Sequence, residues 1–292
     1  MSDPVAAAAK RLADAGVSSP RLDARLLWEH AKRIEMSALV ARGRTEAIFG
    51  KLVARRANRE PLAYITGHKE FWSLDFAVGP GVLIPRPETE TLIEQMLRLV
   101  PDRGAPLAVL DLGTGSGCLL VAALRELPLA HGIGIDASAE ALAWAERNIA
   151  AHKLEGRASL IETAWIEEAA PGFDIVLCNP PYVPTADIRG LEPEVERYEP
   201  RAALDGGRDG LDAYRALAPR IARLVRPGGH AFLEIGLGQD AAVADLFRQA
   251  RLEVAQIAPD LAGIPRCIVV RRAQSGRVGA DQKIVGNRGP NR

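Results

Sequence analysis

The sequence has few cysteines, no excess of charge of either sign and no long apolar run. Its cysteines, Cys118, Cys178 and Cys267, have neither the density of a secreted disulfide scaffold nor the spacing of zinc ligands. Lys plus Arg and Asp plus Glu each number 37, so no strong overall field attracts nucleic acid, although a local basic patch is still compatible with that balance. No apolar run approaches a membrane span, and the first residues lack a signal-peptide pattern. These absences predict a cytoplasmic protein with reduced cysteines, no bound metal and no membrane partner.

The apolar content of the chain is sufficient for two domains. It has 292 residues, of which 48% are hydrophobic and 25% charged. Residues 1–70 have helical spacing, with Leu22, Leu26, Leu27 and His30 on one apolar stripe, and predict a small helical bundle. In residues 71–84, Gly79-Pro80-Gly81 separates two apolar stretches, which predicts a β-hairpin linker.

Strand and helix patterns then alternate over residues 85–272. Strands are predicted at 108–111, 132–136, 159–162, 174–178, 230–235 and 267–271, with helices at 119–127, 139–151, 210–224 and 240–249. A further helix is predicted to begin at Pro87. Such alternation predicts an α/β domain with a doubly wound, mostly parallel sheet. Residues 273–292 are rich in Gly, Arg, Asn and Gln and are predicted to be a disordered tail.

The most informative motif is Asn179-Pro180-Pro181-Tyr182, which follows the apolar stretch 174–178. Ligands bind at the carboxyl ends of strands in open α/β sheets, so this motif is predicted to lie in a binding crevice. The prolines fix φ and remove two backbone donors, which leaves the Asn179 and Pro180 oxygens free to accept from a planar NH2 group. Tyr182 would meet the face of that group. Because no Asp, Glu or His adjoins the motif, we predict that positioning carries the catalysis.

A glycine-rich loop lies between the first predicted strand and the helix after it. Its glycines, Gly113, Gly115 and Gly117, allow close approach of the backbone to a ligand. The dinucleotide pattern Gly-x-Gly-x-x-Gly would require glycine at position 118, where this chain has Cys118. The pattern Gly-x-Gly-x-Gly after Asp111 is similar to the adenosylmethionine loop of Rossmann-like methyltransferases.

Three further residues are candidates for nucleoside-cofactor contacts. Asp136 ends the next predicted strand, where a carboxylate can accept from both ribose hydroxyls, although it could also cap the following helix. Trp165 lies just beyond the third strand, where it would either contact the adenine edge or belong to the core. Asp111 would either support the glycine loop or reach the methionine part of the cofactor.

These blocks together resemble a class I adenosylmethionine-dependent methyltransferase, and more closely the N5-glutamine methyltransferases that modify peptide chain release factors. Further blocks at 60–67, 82–90, 197–207 and 260–266 are similar to signatures of that family. The resemblance covers residues 20 to 272 and excludes the tail.

The resemblance implies S-adenosyl-L-methionine as cofactor, the glutamine of a release factor's Gly-Gly-Gln loop as acceptor, and substrate recognition by the helical domain. The implied cofactor residues are Asp111, Gly113, Thr114, Gly115, Ser116, Gly117, Asp136, Trp165 and Asn179. The implied acceptor residues are Asn179, Pro180, Pro181 and Tyr182, with catalysis assigned to Asn179, Pro180 and Tyr182. Arg86, Glu88 and Arg197 would shape the acceptor pocket, although surface salt bridges explain them equally well.

Two other functions are compatible with the same motifs. The tetrapeptide also suits methylation of the exocyclic N6 amine of adenine in DNA or RNA, because that nitrogen is likewise planar and conjugated. Such an enzyme must extract a base and bind phosphates, which the zero net charge disfavours. A non-catalytic nucleotide-binding adaptor is the other alternative, and the intact tetrapeptide and glycine loop disfavour it. We therefore expect no direct nucleic-acid partner.

Overall fold

The computed structural model describes residues 3–37, 44–163 and 172–272. The chain begins with helices α1 (Pro4–Asp14), α2 (Pro20–Ser37), α3 (Thr45–Ala57) and α4 (Leu62–Thr66). Their apolar faces pack into one core centred on Leu12, Leu27 and Val53. The predicted tail, residues 273–292, lies outside the described residues.

The buried face of α2 differs from the predicted stripe. Leu27 is fully buried, but Leu22 and Leu26 are 47% and 37% exposed. The residues that face the core are Asp23, Ala24, Leu27 and Ala31. A buried ion pair explains this rotation, because Arg56 Nε of α3 donates to Asp23 Oδ2 at 2.7 Å. Hydrophobicity alone could not predict that a carboxylate occupies the core-facing position.

The linker does contain a hairpin, but the predicted pairing was wrong. Strands β1 (His68–Phe71) and β2 (Leu74–Ala77) pair antiparallel around a two-residue turn. Both turn residues, Trp72 and Ser73, have positive φ, as the tight turns that match strand twist require. The segment 82–84 forms no strand. Its backbone is instead bonded by side chains, since Tyr64 Oη donates to the Val82 carbonyl at 2.5 Å.

A seven-stranded sheet forms the centre of the described part of residues 85–272. Its strands are β3 (Ala108–Leu112), β4 (His131–Asp136), β5 (Ala158–Glu162), β6 (Phe173–Cys178), β7 (Val225–Glu234), β8 (Glu253–Pro259) and β9 (Pro265–Arg271). They lie in the order β5-β4-β3-β6-β7-β9-β8, parallel except for β9, which runs antiparallel to both of its neighbours. The predicted doubly wound α/β fold is therefore confirmed, with one antiparallel strand near its edge.

Helices cover both faces of this sheet. They are α5 (Glu90–Leu99), α6 (Cys118–Glu126), α7 (Ala139–Ala151), α9 (Asp212–Leu224) and α10 (Asp240–Gln249). The short helix α8 (Pro193–Tyr198) lies in the segment between β6 and α9 and buries no residue. One core contains Met96, Leu120 and Val269, and the core on the other face contains Val176, Ile221 and Phe247. The helix predicted from Pro87 starts with a 3-10 turn before α5.

Two elements of this domain were not predicted, namely β8 and α8. Strand β8 lies at the sheet edge and is mostly exposed, so its residues carry little apolar signal. Helix α8 spans only six residues, too few for a periodic pattern. Among the described residues, no helix combines the length and apolarity needed to cross a membrane, and no three His, Cys, Asp or Glu side chains group as metal ligands.

Candidate active site

A cavity of about 520 Å³ opens at the carboxyl ends of β3, β4 and β6. Parallel strands bring these three ends to one edge of the sheet, which is where the sequence predicts a ligand. The predicted residues that line it are Gly113, Thr114, Gly115, Ser116, Asp136, Asn179, Pro180 and Pro181. Linker residues Gly81, Val82 and Leu83, followed by Pro85, form a further part of the wall. The structure thus brings the glycine loop and the proline motif to the same cavity.

The glycine loop is held by hydrogen bonds among nearby residues. Gly113 and Thr114 donate their N–H groups to the Ile135 carbonyl at 2.8 and 2.9 Å. Gly113, Gly115 and Gly117 have φ of +70°, +55° and +78°, which residues with a Cβ adopt only at a cost. Gly117 lies outside the cavity wall and packs on α7, where an added Cβ would be 3.3 Å from that of Ala145. It therefore shapes the loop from beneath.

Asp111 lies under this loop and is fully buried. Its Oδ2 accepts from Thr114 Oγ1 at 2.7 Å and from the Leu120 N–H at 3.2 Å. Its Oδ1 is buried and has no hydrogen-bond partner among the described residues. Burial raises the pKa of Asp111 to about 7, against the lowering effect of these two donors. The structure therefore places Asp111 as a support of the loop rather than in the cavity wall.

Asp136 ties the loop to the start of α7. Its Oδ2 accepts from the Gly115 N–H and its Oδ1 from the Ser138 N–H, both at 2.9 Å. Ser138 Oγ in turn accepts from the Ala141 N–H, so the serine caps the helix. Each carboxylate oxygen can accept a second bond, and Asp136 lines the cavity. The helix-cap alternative for Asp136 is therefore wrong, because Ser138 caps α7, whereas ribose binding stays a prediction that this geometry allows.

The described residues fit a nucleoside cofactor. The cavity volume lies within the range of small-molecule sites. A Cβ added at Gly113 would meet no atom within 4 Å, because that position faces the open cavity. The Asp136 carboxylate lies on the wall beside it. S-adenosyl-L-methionine would be held by the loop from Gly113 to Ser116 and by Asp136.

Asn179 belongs to a chain of hydrogen bonds that the sequence did not predict. Asn179 Nδ2 donates to Thr89 Oγ1 at 3.2 Å, and Thr89 Oγ1 donates to Glu234 Oε2 at 2.5 Å. Tyr182 Oη donates to the other oxygen, Glu234 Oε1, at 3.0 Å. Thr89 directly precedes α5, and Glu234 is the last residue of β7. Two residues of the motif are thus joined through a single carboxylate.

Glu234 is the main site residue missed from the sequence. It is 1% exposed, and burial raises the pKa of its carboxyl against the lowering effect of bonds from Thr89 and Tyr182. A signal was available, because Glu234 interrupts the apolar run Ala231-Phe232-Leu233 at the end of a predicted central strand. A charge buried there requires partners.

Tyr182 does not line the cavity, where the sequence reasoning placed its ring against the acceptor amide. Its ring packs against the core that contains Val176, Ile221 and Phe247, and its hydroxyl donates to Glu234. Its carbonyl accepts from Gln239 Nε2 at 3.0 Å, while Gln239 Oε1 accepts from the Gly236 N–H at 3.0 Å. Tyr182 thus joins the proline motif to the loop after β7.

Arg86, Glu88 and Arg197 are not among the residues that line the cavity. Arg86 Nη2 pairs with Glu199 Oε1 at 2.5 Å, and the same carboxylate accepts from the Ile84 N–H at 3.1 Å. Glu88 and Arg197 are exposed. Trp165 lies outside the described residues. The position beside Glu88, Thr89, is the one that lines the cavity.

The helical bundle contacts the segment that follows the proline motif. Glu194 Oε1 accepts from Arg56 Nη1 and Arg59 Nε, both at 2.7 Å, and Arg59 also pairs with Glu192 at 2.9 Å. Tyr198 Oη donates to the Asn58 carbonyl at 2.9 Å. These bonds join α3 to α8, the helix just before Glu199. The bundle therefore supports one side of the cavity mouth.

Comparison with known proteins is consistent with this geometry. Residues 5–67 match the family described as PrmC N-terminal domain, and residues 88–190 match the methyltransferase small domain. The chain is 45% identical over 270 residues to the release factor glutamine methyltransferase of Caulobacter vibrioides, covering 90% of this chain and 93% of the relative. It is 44% identical over 272 residues to that of Rhodospirillum rubrum, covering 91% of this chain and 83% of the relative.

A solved structure supports the fold alone. The methyltransferase from Pyrococcus furiosus is 16% identical with a TM-score of 0.52, and the match covers 75% of this chain and 98% of that one.

Proposed function

Because the chain belongs to the release factor glutamine methyltransferase family, we propose that it methylates the side-chain amide nitrogen (N5) of the glutamine in a release factor's Gly-Gly-Gln loop. S-adenosyl-L-methionine is the methyl donor, and the acceptor is a protein rather than a nucleic acid. The equal numbers of acidic and basic residues support a protein acceptor.

The observation that carries the proposal is the position of Asn179 and Pro180 in the same cavity as the glycine loop. The side of the cavity formed by the glycine loop fits the nucleoside of the cofactor. The acceptor side has two oxygens on a rigid turn, Asn179 Oδ1 and the Pro180 carbonyl. A primary amide has two N–H groups, which match two acceptors. A glutamine side chain carries such an amide, and it is flexible enough to reach the cavity from an exposed loop.

The chemistry requires orientation, because an amide nitrogen is a poor nucleophile whose lone pair is delocalised into the carbonyl. When bound, S-adenosyl-L-methionine supplies an electrophilic methyl group. Asn179 Oδ1 and the Pro180 carbonyl would accept hydrogen bonds from the two amide N–H groups and would hold the nitrogen with its lone pair toward the methyl donor. The same oxygens stabilise the positive charge that develops on nitrogen. Held by the loop from Gly113 to Ser116 and by Asp136, S-adenosyl-L-methionine would supply its methyl group to the nitrogen lone pair and would leave as the neutral thioether.

After transfer, the amide nitrogen loses one proton to solvent. Glu234 is the carboxylate nearest in the hydrogen-bond chain, but both of its oxygens accept from side chains and it lies outside the cavity wall. Glu234 is therefore not placed to take the proton from the acceptor nitrogen. Catalysis rests on positioning rather than on a general base, and we expect no single titrating base in the pH–rate profile of the methyl-transfer step.

The proposal is tested with the full chain and radiolabelled S-adenosyl-L-methionine. The acceptors are a release factor, the same factor with Gln→Ala in its Gly-Gly-Gln motif, and duplex DNA. We expect label on the unchanged factor alone. Label on DNA would instead support the adenine-N6 alternative, and equal label on both forms of the factor would reject the glutamine assignment.

A further inference from the structure

Asn179 can present either end of its amide to the cavity, and only the oxygen can accept a hydrogen bond from an N–H group of the acceptor glutamine. We propose that Thr89 and Glu234 are positioning residues that hold Asn179 with its Oδ1 toward the cavity. The inference rests on the proposed function, because the orientation of Asn179 matters for catalysis only if an N–H group binds there.

The direction of the hydrogen bonds supports this assignment. The Glu234 carboxyl accepts a hydrogen bond from the Thr89 hydroxyl at 2.5 Å and one from the Tyr182 hydroxyl at 3.0 Å. A threonine hydroxyl has one proton, and here it is committed to Glu234. Toward Asn179, Thr89 Oγ1 can therefore only accept. It bonds Asn179 Nδ2 at 3.2 Å, which leaves Oδ1 for the cavity.

Thr89 does not serve the helix that it precedes. Thr89 ends the 3-10 turn before α5, and its side chain makes no capping bond with a backbone N–H of that helix. It is 2% exposed and lines the cavity instead. Its hydroxyl is directed to Asn179 and Glu234.

The burial of the Glu234 carboxyl group is difficult to explain as a contribution to the stability of the protein. A carboxylate buried in a central strand costs several kcal/mol in desolvation, which apolar residues of similar size would avoid. The charged and titratable groups that influence it include Tyr182, Arg266 and Glu88, together with the buried Cys118, Cys178, Cys267 and Tyr214. Arg266 pairs with Asp260 rather than with Glu234. The hydrogen bonds that the Glu234 carboxylate accepts come from Thr89, which contacts Asn179, and from Tyr182, the last residue of the motif.

The first experiment is a double-mutant cycle between Thr89 and Asn179. Thr89→Val keeps the side-chain shape and removes the hydroxyl, while Thr89→Ser keeps the hydroxyl and is the matched control. We expect Thr89→Val to lower kcat about 10-fold to 10²-fold and Thr89→Ser to stay within about threefold of the unchanged enzyme. In an Asn179→Ala background, Thr89→Val should have almost no further effect. If Thr89→Val does not fold, Thr89→Ala takes its place.

A purely structural role for Thr89 would give a different pattern. It would lower kcat by the same factor in both backgrounds, and that result would overturn the proposal. Wild-type kcat in Thr89→Val would also overturn it. Melting temperature and the dissociation constant of S-adenosyl-L-methionine, measured for each variant, exclude a general loss of fold or of cofactor binding.

The second experiment needs no acceptor and separates this inference from the proposed function. The asparagines of the chain are Asn58, Asn148, Asn179, Asn287 and Asn291, so ¹⁵N labelling of Asn side chains gives an interpretable NMR spectrum. We expect the Asn179 NH2 protons to shift upfield in Thr89→Val and to stay in place in Thr89→Ser. Unchanged resonances in Thr89→Val would refute the positioning role. If the enzyme does not label release factor but the resonances shift, the proposed function fails and the orientation of Asn179 stands.

Discussion

The two sides of the cavity are held in different ways. On the cofactor side, Asp111, the glycine loop, Asp136 and Ser138 bond one another within a short stretch of chain, mainly through backbone N–H groups. On the acceptor side, side chains from Thr89, Asn179, Tyr182 and Glu234 meet across three separate segments. The cofactor side should therefore be disturbed most by changes that alter the backbone conformation. The acceptor side should be disturbed most by the loss of a single polar atom.

The strongest test of this difference is Asn179→Ala on the acceptor side. Removing one preorganised acceptor should lower kcat by about 10²–10³-fold, because the amide nitrogen loses its orientation and its charge stabilisation. Steady-state kinetics with release factor measures kcat, and calorimetry measures cofactor affinity. We expect the dissociation constant of S-adenosyl-L-methionine to change little, with Asn58→Ala as a control remote from the cavity. A loss of cofactor binding without a loss of kcat would place Asn179 on the cofactor side instead.

On the cofactor side, the buried carboxyl of Asp111 predicts a dependence of stability on pH. Its pKa is raised to about 7 in the folded protein, from an ordinary value of 3.8. Between these values the folded state holds a proton that the unfolded state has released. The free energy of unfolding therefore falls as pH rises through this window, by at most about 1.4 kcal/mol per pH unit, and the stabilisation is fully present only below it.

Asp111→Asn should remove this dependence, because its amide does not titrate while its oxygen can still accept from Thr114 and Leu120. Urea unfolding of both proteins from pH 5 to pH 8 measures the difference. We expect the variant to gain stability relative to the unchanged protein as pH rises to about 7, and the gap to level off above it. If the free energies of unfolding of the two proteins changed in parallel from pH 5 to pH 8, Asp111 would already be ionised at pH 5.

The same contrast explains how much of the site was predictable. The glycine loop, Asp111 and Asp136 lie close together in sequence and between clear strand and helix patterns, so local reasoning placed them. Asn179 and Pro180 were found because prolines after an apolar strand are a strong local signal. Thr89 and Glu234 were missed because their partners are 90 and 145 residues away. Only the fold shows which distant side chains meet.

The fold had a similar division between local and long-range signals. The ends of α7 and α10 were predicted to the residue, because both helices have clear periodicity and polar starts. The hairpin pairing was wrong because its turn, Trp72-Ser73, lacks the glycine or asparagine that usually marks positive φ. The buried face of α2 was wrong because a contact with Arg56 of another helix decides it.

A smaller effect is expected from Gly117→Ala, which tests the support of the glycine loop. Alanine would hold φ near +78° and bring its Cβ to 3.3 Å from that of Ala145. Backbone strain of about 1–2 kcal/mol and the need to shift α7 should together lower stability by about 2 kcal/mol. Denaturant unfolding measures the loss. A variant as stable as the unchanged protein would mean that the loop and α7 adjust without cost.

The smallest effect on stability is expected from Gly113→Ala, which is matched to Gly117→Ala in backbone conformation. Gly113 also has positive φ, but its added Cβ meets nothing within 4 Å and faces the cavity. Only the strain remains, so stability should fall by about 1 kcal/mol. The methyl would occupy space at the cofactor side, and we expect S-adenosyl-L-methionine to bind about tenfold more weakly, equivalent to about 1.4 kcal/mol. Calorimetric titration and unfolding of the two variants separate the effects, since Gly117→Ala should lose more stability and Gly113→Ala more cofactor affinity. If Gly113→Ala bound the cofactor as tightly as the unchanged protein, the cofactor would lie elsewhere in the cavity, and the division between its two sides would have to be redrawn.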